Sequence, residues 1–302
     1  MASWPLSPVP LEVSKSSCAT LRPGETPSLT SQCLSAGIGA AICTNLASKG
    51  ASLVMNYTSD KSAGPTQELA AELERTYGIR TTTVQADMGS EKGAAHVVDV
   101  AKNHFSHPKT NKFQVDIVVN NAGVSGNQTI AETDPKHFEW LYNVNVRGPL
   151  LLMQAVEPHL PHDRSGRIVS LSSVSSSLGF AGQSIYGGTK AALEAMTRTW
   201  ARELSERATV NCVNPGPVAT DMYASNGEDF FTMINPWLKN TPLAPAREGI
   251  DRDEFVQNAP KAGGRPAYEE EIAGVVVMLC SPEAGWSTGS VVCANGGMRF
   301  SP

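Results

Sequence analysis

From about residue 37 onward, apolar and polar positions alternate between two periods. Apolar residues recur three and four apart, as on one face of a helix, over 40–49, 67–77, 91–105, 134–160, 183–206 and 268–279. Short β-rich runs lie between them at 51–57, 81–86, 115–120, 167–171, 209–213 and 290–294. Gly50 and Gly78 follow the first two helices as stop signals, and Thr133 with Pro135 opens the long fourth one as cap and first-turn residue. The run 115–120 is almost wholly apolar, as in a strand buried on both faces. Strands alternating with helices of these lengths predict right-handed βαβ units: an α/β fold with one doubly wound parallel sheet and helices on both faces.

Two segments break the rhythm. Residues 1–36 carry no strong strand and read as an atypical segment, disordered or a degenerate first strand. Residues 24–31 do not look like a buried hydrophobic strand, and 18–21 are the nearest candidate for one. Residues 217–267 are rich in Pro, Asn, Asp and aromatics and read as a long excursion above the sheet. No linker or repeat divides the remainder, so 37–302 is read as one domain.

Composition excludes more than it selects. The chain has 302 residues and a formal charge of −5, with 41% hydrophobic residues. There is no basic cluster for nucleic acid and no apolar run long enough to span a bilayer. Residues 1–13 hold three prolines and no basic head, a poor signal peptide, which leaves the cytoplasm as the expected location. The six cysteines lack Cys-x-x-Cys spacing and read as small core residues in a reducing compartment. His159-x-x-His162 has no third ligand nearby in sequence, so no metal is expected.

Candidate chemistry gathers where a doubly wound sheet binds ligands, beyond the C-terminal strand ends. Gly37-Ile38-Gly39 opens the first helix, where glycines admit a pyrophosphate and the helix N-terminus favours its charge, although the same dipeptide spacing also makes a plain turn. Asp87, Asn120-Asn121-Ala122-Gly123, Ser172-Ser173 and Asn214-Pro215-Gly216 each follow a strand. Tyr186-x-x-x-Lys190 lies within a helix, and four residues turn it by about 400°, so both side chains share a face. An ammonium beside a phenol favours phenolate and suits a proton donor. Tyr57-x-x-x-Lys61 has the same spacing, but Tyr57 follows the second strand with no helix to align it with Lys61.

As an ordered set these residues resemble the short-chain dehydrogenase/reductase family, the single-domain Rossmann type, and within it fungal NADPH-dependent ketone and polyketide reductases. The resemblance rests on Gly37-Ile38-Gly39, Asp87, Asn120-Asn121-Ala122-Gly123, Asn145, Ser173, Tyr186-x-x-x-Lys190, Pro215-Gly216 and Gly296-Gly297, over residues 37–300. It implies hydride transfer between a nicotinamide and a ketone or secondary alcohol. Tyr186 would donate the proton, Ser173 would hold the substrate oxygen, Lys190 would bond the nicotinamide ribose and lower the tyrosine pKa, and Asn145 would hold a relay water. Asp87 and Met88 would meet the adenine, Asn120, Asn121, Ala122 and Gly123 the adenine ribose side, and Pro215, Gly216, Val218 and Thr220 the nicotinamide end. The second strand ends in Asn56, where an acidic residue would repel a 2′-phosphate, with hydroxyls at Tyr57, Thr58 and Ser59 behind it. This favours NADP over NAD.

The same resemblance implies a homodimer or homotetramer built on the 134–160 and 183–206 helices, a small-molecule carbonyl or alcohol as substrate, and a substrate lid over 217–267. Tyr223, Phe230, Phe231 and Trp237 in that lid either suit a bulky, secondary-metabolite-like ketone or simply pack it. The family's glycine motif has threonine and its first glycine where this chain has Gln32 and Cys33. Residues 13–36 therefore read as a substituted segment, by divergence or an altered transcript, and two functions stand side by side: an NADP-dependent reductase, or a catalytically impaired dinucleotide-binding paralogue acting as scaffold or sensor.

Overall fold

The computed structural model describes residues 28–31 and 37–300. In chain order the elements are β1 (Ser28–Ser31), α1 (Ile38–Ser48), β2 (Ser52–Tyr57), α2 (Asp60–Tyr77), β3 (Thr81–Gln85), α3 (Gly93–Phe105), β4 (Val115–Asn120), α4 (Pro135–Tyr142), α5 (Gly148–Val156) and β5 (Gly166–Leu171). They continue with α6 (Ser175–Leu178), α7 (Ser184–Glu203), β6 (Ala208–Pro215), α8 (Asp221–Ala224), α9 (Glu228–Lys239), α10 (Asp253–Ala262), α11 (Glu269–Cys280) and β7 (Val291–Ala294). All strand pairs are parallel, in the order β3-β2-β1-β4-β5-β6-β7. The chain winds outward from β1 to β3, then restarts at β4 on the other side of β1. That reversal opens a crevice beyond the ends of β1 and β4.

Alternation along the strands divides the core into two faces. Leu53, Met55, Val119, Val169, Leu171 and Val213 join α1 and α11 in one buried cluster. Their neighbours Val54, Val118, Ile168 and Val210 join α3, α5 and α7 in the other. A third, smaller cluster packs Ile234 and Leu238 of α9 against Val174 and Phe180.

The central strand corrects the sequence reading. Ser28–Ser31, part of the stretch judged too polar, pairs with β2 on one side and β4 on the other. Its place is defined by backbone hydrogen bonds on both edges, which a Ser-Leu-Thr-Ser sequence supplies as well as any other. Residues 1–27 and 32–36 lie outside the described residues, and with them the 18–21 candidate, Gln32, Cys33 and the substituted segment up to 27.

The helix expected over 134–160 is also broken. α4 runs into a π-helical turn at Asn143–Arg147, α5 follows, and a 3-10 turn ends it at Glu157–His159. Pro149 has no N–H for the carbonyl four residues back and its ring crowds that turn, which the periodicity conceals. The cap of α4 is Asp134, accepting from the Lys136 N–H at 3.0 Å, rather than Thr133.

The 217–267 excursion holds α8, α9 and α10, and its two ends are stapled together. Ala267 N–H donates to the Pro217 carbonyl and Ala219 N–H to the Ala267 carbonyl, each at 2.9 Å. Arg265 donates to both oxygens of Glu271 at 2.8 and 2.9 Å, and its Nε lies 3.1 Å from Asp251 as an ion pair without hydrogen-bond alignment. Cys212, Cys280 and Cys293 are free thiols, whereas buried Cys43 is disulfide-bonded, against its reading as a reduced core residue. No helix among the described residues is long and apolar enough to cross a membrane.

Asn56, at the end of β2, ties this edge of the sheet together. It is 4% exposed, and its Nδ2 donates to the carbonyls of Tyr57, Val84 and Ala86 at 3.0–3.2 Å. An aspartate there would turn a charge toward three acceptors. Asn56→Asp is expected to lower stability by about 2–4 kcal/mol, read as a lower denaturant midpoint with unchanged slope.

Candidate active site

A cavity of about 450 Å3 lies in the crevice beyond the strand ends. Of the residues expected there, Gly37, Ile38, Gly39, Asn121, Ala122, Gly123, Ser173, Tyr186, Lys190, Pro215, Gly216, Val218 and Thr220 line it. The fold explains the convergence: each group follows β1, β4, β5 or β6, or projects from the first turns of α7.

At its centre α7 carries Tyr186 and Lys190 on one face. Ser173, two residues past β5, hydrogen-bonds the Tyr186 hydroxyl. Its own Oγ is steadied by donation to Ser175 Oγ at 3.1 Å and acceptance from the Ser175 N–H at 3.2 Å. Lys190 is 5% exposed and its Nζ donates to the Leu171 carbonyl at 2.8 Å, 5.7 Å from the centroid of the Tyr186 ring. Burial brings the lysine pKa down to about 8. Burial also raises the Tyr186 phenol above its ordinary value, with the Ser173 bond pulling the other way. The sequence reading expected Lys190 to depress that pKa. Here the direction is upward, and its largest cause is desolvation. The phenol therefore keeps its proton at neutral pH.

Asn145 stands in the π-helical turn and is 1% exposed. Its Oδ1 accepts from the Val124 N–H and its Nδ2 donates to the Val124 carbonyl, each at 2.8 Å, with a further bond to Thr189 Oγ1 at 3.1 Å. It thus pins the loop after β4 to α7. Gly123 in that loop passes so close to the lysine that an added Cβ would lie 3.2 Å from Lys190 Nζ.

The cavity fits a dinucleotide. Gly37 caps α1 with φ of 84°, a conformation that L side chains rarely adopt, and places the helix N-terminus at the cavity wall. Asn56, Tyr57, Ser59, Asp87, Met88, Asn120 and Asn145 do not line it. Asn56 is spent on β3, and Asn120 donates to Ser170 Oγ at 3.1 Å within the sheet. Asp87 Oδ1 accepts from the Gly89 N–H at 2.8 Å, and Met88 is buried.

Sequence reasoning missed Lys61, Ser62 and Pro65 of α2, and Gln183, Phe180 and Asn226, all of which line the cavity. Lys61 had a signal, the second Tyr-x-x-x-Lys match. Tyr57 ends β2 and Lys61 lies in α2, so that pair forms no helical face, yet the helix carries the lysine to the cavity. Asp60 beside it accepts from Gln85 Nε2 at 2.7 Å. Of the lid aromatics, Tyr223 and Phe230 line the cavity, while Phe231 packs on both and Trp237 on Phe180.

The fold and this site define an oxidoreductase that acts on hydroxyl or carbonyl groups. Residues 33–230 match the short chain dehydrogenase family, and the chain belongs to it. It is 50% identical to an L-xylulose reductase of Aspergillus niger over 282 residues, 88% of this chain and 95% of that protein. It is 49% identical to an L-xylo-3-hexulose reductase of Hypocrea jecorina over 287 residues, 88% and 94% of the two chains. Among solved structures, a blue fluorescent protein from a metagenomic library, in complex with NADPH, superposes with a TM-score of 0.74 at 30% identity, covering 91% of this chain and 98% of that one.

The buried ammonium leads to two expectations. Between about pH 8 and the ordinary lysine range the unfolded chain holds a proton that the folded one has released, so the destabilisation from burying the Lys190 ammonium is full below about pH 8 and fades as the pH rises through that window. Lys190→Met is therefore expected to raise unfolding stability at pH 7 by about 1–2 kcal/mol, after allowance for the lost Leu171 bond, while activity is abolished. In the unaltered enzyme, turnover is expected to fall as pH rises through about 8, read from the pH profile of kcat.

Proposed function

We propose that the protein is an NADP-dependent reductase of polyhydroxy ketones, with Tyr186 as the proton donor. The observation that carries this reading is the assembled set of Ser173 hydroxyl, Tyr186 phenol and Lys190 ammonium on one cavity wall. The names of the two fungal relatives near 50% identity supply the substrate class.

Bound NADPH would supply the hydride. Gly37, Ile38 and Gly39 would hold its phosphates at the start of α1, Asn121, Ala122 and Gly123 the middle of the molecule, and Pro215, Gly216, Val218 and Thr220 its nicotinamide end. Preference for the 2′-phosphate is supported by the neutral Asn56, by the engagement of Asp60 with Gln85, and by Lys61 on the cavity wall. The NADPH complex of the metagenomic protein points the same way.

The Ser173 hydroxyl orients the carbonyl oxygen, and the neutral Tyr186 phenol delivers its proton to that oxygen as negative charge develops. The Lys190 ammonium beside the ring stabilises the phenolate left behind and makes its later reprotonation part of the cycle. Asn145 acts through Val124 and Thr189, holding the loop and helix between which Lys190 sits. The assembly of the buried ammonium with a hydroxyl and a phenol supports the catalytic reading over an impaired paralogue.

A second reading is supported by Tyr223 and Phe230, which present aromatic faces suited to a bulky, flat ketone. Purified enzyme should oxidise NADPH faster than NADH when supplied with L-xylulose. A preference for aromatic ketones over ketoses would favour the second reading. Tyr186→Phe is expected to cost about 100- to 10,000-fold in kcat on any ketone that the unaltered enzyme reduces. Lys61→Glu should lower the NADPH-to-NADH ratio of kcat/KM by about tenfold, and an unchanged ratio would remove Lys61 from the cofactor assignment.

A further inference from the structure

Consecutive residues leaving β5 meet consecutive side chains on one face of α7. The Leu171 carbonyl accepts from Lys190 Nζ at 2.8 Å, Ser172 Oγ donates to Glu194 Oε1 at 2.5 Å, and Ser173 hydrogen-bonds the Tyr186 hydroxyl. Tyr186, Lys190 and Glu194 follow one another at intervals of four residues along the helix, so they form one stripe. Tyr186 and Lys190 line the cavity, whereas Glu194 does not and is 7% exposed. Among the described residues no basic side chain forms an ion pair with it.

A buried carboxyl without a counter-ion is unfavourable unless hydrogen-bond donors meet it. Both donors that meet Glu194 bear on Ser173. Ser172 precedes that residue in the chain. Asn214 of β6, fully buried, donates from Nδ2 to Glu194 Oε1 at 3.2 Å, to the Ser173 carbonyl at 2.9 Å and to Ser176 Oγ at 3.3 Å. The backbone on either side of the Ser173 Cα is therefore tied to one carboxyl, and that carboxyl stands on the helix that carries the phenol. We infer that Glu194 is a positioning residue: through Ser172 and Asn214 it fixes the Ser173 hydroxyl relative to the Tyr186 phenol, about two turns back along α7. It acts without touching substrate or cofactor. This rests on the catalytic reading of Ser173 and Tyr186 proposed above.

The test is a double-mutant cycle in kcat, run with NADPH and either L-xylulose or an aromatic ketone, whichever the unaltered enzyme reduces faster. Glu194→Leu should lower kcat by about 10- to 100-fold, because a misplaced hydroxyl no longer meets the carbonyl oxygen. The Kd for NADPH, from fluorescence titration, should stay within about twofold, since Glu194 lies off the cavity wall. Glu194→Gln, which keeps an acceptor oxygen, should retain more than about a third of the unaltered kcat. In a Ser173→Ala background the same Glu194→Leu change should cost less than about threefold, because the hydroxyl that it positions is gone. Thermal melts establish that each variant is folded. A purely structural role would lower kcat equally in both backgrounds, and that result overturns the inference, as does an unchanged kcat in folded Glu194→Leu. If Glu194→Leu does not fold, Ser172→Ala takes its place in the cycle and the same outcomes decide. An enzyme that reduces no ketone overturns the catalytic reading, and the inference falls with it, whereas equal losses in an active enzyme overturn the inference alone.

Discussion

The Lys190 ammonium, held almost out of solvent against the Leu171 carbonyl, is the constraint on which the rest of the site depends. A buried cation is unfavourable unless its surroundings hold it in place, and here several elements converge to do so. The end of β5 supplies the carbonyl. The loop after β4 comes close at Gly123, where an added Cβ would lie 3.2 Å from Lys190 Nζ. The π-helical turn supplies Asn145, which keeps that loop at its distance. Each element also carries a functional group, so the interactions that confine the charge position Ser173 and Tyr186 as well.

Buried polar contacts decide much of the remaining architecture. Asn56 joins two strands through three carbonyls, and Arg265 with Glu271 anchors one end of the lid. Hydrogen bonds from Gln183 to Asn127 and from Asn127 to Asn226 join the start of α7 to the lid. Apolar clusters on the two sheet faces supply bulk stability but no direction. On the ligand side, where the backbone leaves regular structure, directional contacts fix the loops.

Much of this was legible in the chain. The period of its apolar residues predicted the βαβ winding and most of its helices, and the ordered motifs predicted which loops meet, because every parallel strand end in a doubly wound sheet faces the same crevice. Where the reading failed, hydrophobicity stood in for something else. β1 was not recognised at 28–31 because Leu29 is the one apolar residue of Ser-Leu-Thr-Ser, although pairing on both edges needs only backbone. The long fourth helix hid its break because Pro149 and the π-helical turn leave the apolar period almost unchanged.

The sequence by itself determined the fold class and the family, and it pointed to Ser173, Tyr186 and Lys190, which the fold brings to one cavity, since these depend on local periodicity and on residue types at fixed separations. Only the tertiary structure decided that Asn56 serves the sheet rather than the cavity, that Lys61 reaches the cavity, and that burial raises the tyrosine's pKa. It also decided that Leu171, Ser172 and Ser173 meet Lys190, Glu194 and Tyr186 in turn. Desolvation and hydrogen-bond pairing depend on what surrounds an atom in space, and residues distant in the chain supply those surroundings.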